Sequence, residues 1–180
     1  MQFCPRYHRT FEALEGRSLL AADLASAEQI GQDLYITGGD AWANVLITGG
    51  DSLGEFTVTT TYQWDPDTNS VPPGSAVYHF EGVVGDIVVK LGGGTDVLRI
   101  EGSFPTGAHV LGDLTIDLGE GPGGRVELGR SEIGAGIAGW FPVTVDGDLR
   151  IRTGDGDDEI NFVFGAVMAM RELTRGAGMT

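Results

Sequence analysis

Apolar and polar residues alternate with a period of two at four places along this chain, each time directly after an aspartate. The four aspartates are Asp33, Asp86, Asp113 and Asp148. The apolar positions that follow them are Leu34 and Ile36, Ile87 and Val89, Leu114 and Ile116, and Leu149 and Ile151. A period of two is typical of a strand with one buried face, so these apolar residues are predicted to point into a core.

A glycine-rich turn follows each of these stretches, and a second apolar stretch follows each turn. The second set of predicted inward residues is Leu46, Leu98 and Ile100, Val126 and Leu128, and Ile160 and Phe162. A slip of one residue would bring Arg99, Glu127 and Asn161 inside instead. The strand register is therefore strongly specified by the sequence.

The four copies begin 53, 27 and 35 residues apart, counted between the aspartates. Self-similarity on this scale is typical of repeat architectures. We predict an all-β fold over residues 31–180, a right-handed parallel β-helix or β-roll-like solenoid, with an antiparallel β-sandwich as the alternative. The longest interval is predicted to hold an extra coil at residues 55–62. Residues 65–74 and 130–142 are predicted to be loops because they contain proline and glycine.

The composition excludes some classes of binding partner but indicates no particular chemistry. The chain has 30 glycines and a formal net charge of −15, and Lys90 is its single lysine. An acidic surface repels phosphate backbones, so no nucleic-acid partner is expected. No apolar run approaches the roughly 18 residues of a membrane-spanning helix, so no transmembrane segment is expected either.

Residues 1–30 differ from the rest and are predicted to form a short sorting segment, helical or disordered. Leu14, Glu15, Arg17, Leu19 and Leu20 make up the sequence LEGRSLL with Gly16 and Ser18. This stretch resembles the LEPR-XLL motif found near the N-terminus of large, repetitive bacterial surface and secreted proteins, and departs from it where Gly16 replaces proline. The resemblance implies export or sorting to the cell envelope and a repetitive β-rich body behind the motif. It implies no particular activity.

The glycine-rich turns are the closest approach to a chemical motif. Residues 153–160 and 91–98 match the calcium-binding nonapeptide Gly-Gly-x-Gly-x-Asp-x-U-x except at the first glycine, where Thr153 and Leu91 stand. Carboxylate and carbonyl oxygens are the ligands that calcium prefers. The predicted calcium ligands are Asp96, Asp155, Asp157 and Asp158. The alternative is a purely structural turn, because the copies between the two matches are degenerate.

Other catalytic and metal-binding patterns are missing from the sequence. Cys4 is the only cysteine, and His8, His79 and His109 lack the spacing of a zinc site. There is no nucleophile elbow, Walker loop or dinucleotide fingerprint. No catalytic residue and no enzymatic activity are therefore predicted.

The sequence thus predicts a structural or adhesive repeat module of a secreted or cell-surface protein. One alternative is a calcium-dependent extracellular binding module, and another is a degenerate carbohydrate-binding or carbohydrate-active β-helix, with Trp64 and Trp140 as exposed aromatics. Envelope components or polysaccharide are the predicted partners. Residues 171–180 resemble the start of a fifth copy, so truncation at the C-terminus and end-to-end self-association are also predicted.

Overall fold

The computed structural model describes residues 24–61, 75–103, 107–134 and 137–163. These residues form strands and turns without any helix, which confirms the all-β prediction for them. The LEPR-XLL-like residues, the loop at 65–74, Trp64 and the resemblance to a fifth copy at 171–180 lie outside the described residues.

Fifteen strands are present in the described residues. They are β1 (Ser26–Ile30), β2 (Asp33–Thr37), β3 (Asn44–Gly49), β4 (Phe56–Thr61), β5 (Ala76–Phe80), β6 (Ile87–Lys90), β7 (Val97–Glu101), β8 (Ala108–Val110), β9 (Leu114–Asp117), β10 (Arg125–Leu128), β11 (Arg130–Gly134), β12 (Ile137–Phe141), β13 (Val143–Val145), β14 (Leu149–Arg152) and β15 (Glu159–Phe162).

Two mixed sheets contain most of these strands. Sheet A has the order β1-β2-β6-β9-β14, and sheet B has the order β15-β10-β7-β3-β4-β5. Strands β2, β6, β9 and β14 are parallel neighbours, and so are β3, β7, β10 and β15. An antiparallel β-sandwich would not contain these two parallel ladders.

Each sequence copy contributes one strand to each parallel ladder. We call these contributions levels: level 1 is β2 and β3, level 2 is β6 and β7, level 3 is β9 and β10, and level 4 is β14 and β15. A further parallel pair joins β8 to β13, and these strands precede levels 3 and 4 in the chain. The inserted segment at 130–142, predicted as a loop, is largely an antiparallel hairpin of β11 and β12.

The core is built from the inward residues of the ladders, as the period of two predicts. Leu34, Ile87, Leu114 and Leu149 are register partners across sheet A and are fully buried. Leu98, Ile100, Val126 and Leu128 are equally buried in sheet B. Full burial of such a side chain contributes about 1.5–3 kcal/mol, so these stacked rows are the main source of stability.

The predicted inward position of Leu46 is wrong. Val45 pairs with Leu98 and Ile47 pairs with Ile100, so Val45 and Ile47 occupy the core and Leu46 lies beside Arg99 on the outer face. The register was hidden because Ala43 stands where the second copy has Asp96. In level 4, Ile160 and Phe162 face the core side, but Phe162 stays 41 % exposed.

The first level ends in antiparallel strands on both sheets. The predicted extra coil at 55–62 is instead β4, which turns back and pairs antiparallel with β3, followed by β5. Only residues 50–55 join β3 to β4, and a parallel crossover needs a dozen residues or more. On sheet A, β1 pairs antiparallel with β2, so the sheet begins before residue 31, the predicted domain start. The alternation that marks the other strands is weak in β1, where Gln29 takes an inward position.

Candidate functional site

Four aspartates form a continuous chain of hydrogen bonds at the start of the sheet A strands. Oδ1 of Asp33 accepts the backbone N–H of Asp86 at 2.9 Å, Oδ1 of Asp86 accepts that of Asp113 at 2.8 Å, and Oδ1 of Asp113 accepts that of Asp148 at 2.8 Å. We call these four residues the aspartate ladder. The carboxylates of the first three aspartates each tie their own level to the next one, and such charge-assisted bonds are stronger than neutral ones.

Glycine makes room for this ladder. Gly85, Gly112 and Gly147 directly precede Asp86, Asp113 and Asp148. A Cβ atom at Gly85 would collide with Oδ1 of Asp33, and the other two glycines face the ladder carboxylates of the preceding level in the same way. The sequence signal for the ladder is thus a recurring Gly-Asp dipeptide at the start of a strand. Sequence reasoning used these aspartates to align the copies but assigned them no role.

The electrostatics of the ladder are clearest at Asp113. The N–H of Asp148 stabilises the Asp113 carboxylate, and Arg150 adds to this effect, so the pKa of Asp113 lies below its ordinary value. Arg150 reaches Oδ2 of Asp113 at 3.1 Å and Oδ2 of Asp148 at 2.7 Å. Asp113 is therefore held in its charged form at neutral pH.

The aspartates of the predicted calcium motif also bind backbone N–H groups. Oδ1 of Asp96 accepts the N–H of Ala43 at 2.8 Å, and Oδ1 of Asp158 accepts the N–H of Gly124 at 2.7 Å. We call Asp96 and Asp158 the turn aspartates. They occupy the position just before the sheet B strand of levels 2 and 4, and they reach back to the preceding level.

Asp96 is held in an unusual environment. Its side chain is 1 % exposed, and its Oδ2 has no hydrogen-bond partner among the described residues. Burial raises the pKa of Asp96 to about 7, and the bond from Ala43 lowers it only in part. A carboxyl group of this kind exists in both protonation states near neutral pH.

The four predicted calcium ligands do not converge on one point. Asp155 and Asp157 are exposed on the turn of level 4, while Asp96 lies two levels away. Over the described ranges, no group of three or more His, Cys, Asp or Glu side chains is close enough to hold a metal ion. A calcium site stays a prediction, and it would depend on Asp155 and Asp157 together with backbone oxygens.

The glycine-rich turns stack on one another and leave a groove. Gly92, Gly119 and Gly154 are equivalent residues with φ of 89°, 79° and 90°, and a Cβ atom at Gly119 would collide with the carbonyl oxygen of Gly92. The groove has a volume of about 390 Å³, with a floor of Gly92, Gly93 and Gly119. We call it the turn groove.

Charged side chains form the walls of the turn groove. They are Asp40 of level 1, Asp117 and Glu120 of level 3, and Arg152 of level 4. Arg152 lies 2.7 Å from Glu120 and 3.9 Å from Asp117, so its guanidinium neutralises part of the acidic wall. Trp42, 55 % exposed, lies two residues after Asp40 in the same turn.

The two described histidines are far from this groove in the fold. His109 on β8 lies 2.8 Å from Asp146, and His79 on β5 lies 3.1 Å from the Thr57 hydroxyl. The cations of the outer face of sheet B are also paired: Arg99 and Arg125 both bind Glu127. The two histidine contacts and the Arg99–Glu127 pair join neighbouring strands, whereas the Arg125–Glu127 pair lies within β10.

Comparison of the chain with protein-family models, with curated proteins and with solved structures finds no match. Within the part of the chain that the structure describes, no helix has the length and apolarity needed to cross a bilayer.

Proposed function

We propose that this chain is a structural or adhesive repeat module of a secreted or cell-surface protein, built as a right-handed parallel β-helix. The aspartate ladder is the observation that carries the proposal. Its hydrogen bonds connect four successive levels, so each level is fixed to its neighbour by side-chain as well as main-chain contacts. Stacking of this kind is what makes a repeat array rigid along its axis.

Two further features support an extracellular structural role. Six carboxylates, in the ladder and the turn aspartates, are placed around strand starts, and five of them hold a backbone N–H in the described part of the chain. The LEPR-XLL-like sequence at residues 14–20 resembles that of exported repetitive proteins. A module of this kind would act as a spacer or a binding surface of the cell envelope.

The location can be tested on cells that make the protein, treated intact with a membrane-impermeant biotin reagent. We expect the protein in the medium or labelled on the intact cells. Recovery in the soluble interior, protected from the reagent until the cells are lysed, contradicts the proposal. Replacing Leu19 and Leu20 with aspartate tests whether the N-terminal sequence is needed for that location.

The β-helix can be tested by amide hydrogen exchange on the purified chain. Strands β6, β7, β9 and β10 have a parallel neighbour on both sides, and their amides are expected to exchange most slowly. Strands β1 and β15 lie at sheet edges and are expected to exchange faster. Equal protection throughout the described strands contradicts a stack whose middle levels are covered on both sides.

A calcium-dependent module is the second candidate, because the glycine turns of all four levels stack in register as tandem calcium-binding turns do. A thermal melt with calcium and with chelator separates the candidates. A ligand specific for the folded state, present at about 100 times its Kd, would add roughly 2.7 kcal/mol to stability. A rise in Tm that disappears in the Asp155→Asn/Asp157→Asn variant favours calcium, and an unchanged Tm favours the structural module.

A further inference from the structure

We propose that the turn groove is a binding site for a neutral polysaccharide chain. The inference rests on the proposed adhesive role and names the ligand class and the place where it binds. The groove contains residues from four successive levels, Asp40 in level 1 to Arg152 in level 4, so it runs along the stack. An extended polymer fits a groove of that form better than a compact metabolite does.

The size and construction of the turn groove suit a ligand. Its volume of about 390 Å³ falls within the usual range of about 300–1,000 Å³ for ligand sites. The glycine floor has no side chains, so a ligand can approach the main chain closely. The N–H groups of Gly93 and Gly119 are already bound to Gly39 and Asp117, so the carbonyl oxygens are the groups that the floor offers. Asp40, Glu120 and Arg152 add planar polar groups, which match pairs of adjacent sugar hydroxyls in the same way as they match other paired donors and acceptors.

Trp42 does not line the groove, but it follows Asp40 of the lining by two residues, and we assign it as the second element of the sugar site. Its side chain is 55 % exposed, in the turn that also carries Asp40. The Trp42 backbone nitrogen lies 3.2 Å from the point where a Cβ atom of Gly94 would be, so this turn packs against the glycine turn of level 2. An exposed indole offers an apolar face and an N–H donor, the combination that suits the apolar face of a sugar ring.

The charges of the groove select against two other ligand classes. The guanidinium of Arg152 lies against Glu120 and Asp117, and its positive charge opposes the binding of a divalent cation there. Three carboxylates against one guanidinium, within a chain of net charge −15, repel uronic acids and other anionic glycans. A neutral glycan meets neither obstacle.

A substitution at Gly93 can block the groove without disrupting the fold. A Cβ atom at Gly93 would lie 3.6 Å from Cα of Asp40, an ordinary contact, whereas one at Gly92 or Gly119 would collide with main chain. The Gly93→Leu variant therefore fills the groove floor with a side chain, and Trp42→Ala removes the indole. Phe162→Ala is the matched control, because Phe162 is an exposed aromatic on β15 that does not line the groove.

The test is titration calorimetry of the full chain with hexamers of glucose, mannose and xylose, and with a hexamer of galacturonic acid. We expect at least one neutral hexamer to bind and the acidic hexamer to bind more weakly. Trp42→Ala is expected to weaken binding about tenfold, Gly93→Leu to abolish it, and Phe162→Ala to leave it unchanged.

Two sets of results overturn the inference. The first is the absence of binding to all three neutral hexamers by a chain with a cooperative β-type melt. The second is binding that survives both Trp42→Ala and Gly93→Leu, or that favours the acidic hexamer. Either result leaves the structural module intact if the protein is still found at the cell surface, so the two proposals fail separately.

Discussion

The aspartate ladder and the turn aspartates use the same chemical group for the same kind of bond, but in opposite directions. Ladder carboxylates accept an N–H from the following level, while Asp96 and Asp158 accept one from the preceding level. The ladder is half-buried and continuous from level 1 to level 4. The turn aspartates occur only in levels 2 and 4, and Asp96 is completely buried.

This difference in surroundings gives the two regions opposite responses to protonation. In the ladder, the N–H of Asp148 and the charge of Arg150 favour ionised Asp113. In the turn, desolvation favours neutral Asp96. Two carboxylates with equivalent backbone bonds are therefore distinguished by burial at Asp96 and by the neighbouring Arg150 at Asp113, which shows that the backbone hydrogen bond does not by itself fix the charge state.

The largest expected effect on stability distinguishes two glycines of the stacked turns, Gly119, which is tightly packed, and Gly93, which has room for a side chain. Gly119→Ala should cost about 3 kcal/mol or more, because the new Cβ atom collides with the Gly92 carbonyl and φ is positive there. Gly93→Ala should change stability by less than about 1 kcal/mol, since its Cβ atom has room. Urea unfolding of both variants is the measurement. Similar losses for the two substitutions would contradict the stacking of these turns.

The next effect tests the ladder itself. Asp113→Ala removes the acceptor for the N–H of Asp148 and a partner of Arg150, and should cost about 1.5–3 kcal/mol. Asp113→Asn keeps an acceptor oxygen at the same place and should lose clearly less. The unfolding free energies of the two variants, measured at neutral pH, decide the matter. If alanine is tolerated as well as asparagine, the ladder contributes little to stability.

The third prediction uses the pH dependence of stability to distinguish the turn aspartates from the aspartate ladder. Folded Asp96 has a raised pKa, so its contribution to stability is present in acid and is lost as pH rises from roughly 4 to about 7. Asp96→Asn keeps an acceptor for Ala43 without the buried charge, and should be more stable than the wild type at pH 8, on the order of 1–2 kcal/mol. The variant should lose this advantage as the pH falls toward 4.

Asp113→Asn is the control for that experiment. The pKa of Asp113 is lowered, so its contribution is present above roughly 4 and is lost only as pH falls through its lower folded value. The difference between this variant and the wild type should be constant from pH 5 to 8. Chemical unfolding across this range checks both variants, and a parallel pH dependence for the two would show that burial does not distinguish the regions.

The smallest effect concerns the ion pairs outside the ladder. Arg150 contacts two ladder carboxylates, but it is nearly half exposed. Arg150→Ala should therefore cost less than about 1 kcal/mol, and the loss should shrink at high salt because exposed charges are screened. Unfolding at low and high ionic strength measures this, and a loss as large as that of Asp113→Ala would assign the ladder's strength to Arg150 instead.

The sequence predicts the strands of levels 2 to 4 well because the two patterns that mark them, the apolar–polar alternation and the glycine-rich turns, are local in the sequence. Alternation places Ile87, Leu98, Leu114 and Leu128 in the core, and the glycine turns separate the strands. Level 1 is predicted less well. Ala43 replaces the turn aspartate there, and the predicted strand register, which places Leu46 in the core, is wrong by one residue. The antiparallel return of β4 depends on the short connection between β3 and β4, and on the lack of a second parallel neighbour for β3 among the described strands. The alternation of apolar and polar residues encodes neither of these.

The sites were harder to predict than the strands. The calcium motif identified Asp96 and Asp158 by spacing, but spacing does not say whether a carboxylate turns toward an ion or toward the N–H of another level. The turn groove joins Asp40 to Arg152, residues more than a hundred positions apart in sequence. Such a site exists only after the levels are stacked, so no local sequence pattern predicts it.

The Gly-Asp junction at each strand start also has a consequence for how such a chain can evolve. Excising residues 86–112 would join Gly85 directly to Asp113, and the N–H of Asp113 would then meet the carboxylate of Asp33, as that of Asp86 now does. A duplication of the same segment would insert a level with its ladder bond already in place. Recombination between these junctions can thus lengthen or shorten the two parallel ladders with the ladder bond preserved, while β13 loses its partner β8 when residues 86–112 are excised. The number of levels becomes a trait that selection can adjust largely separately from the sequence of each level.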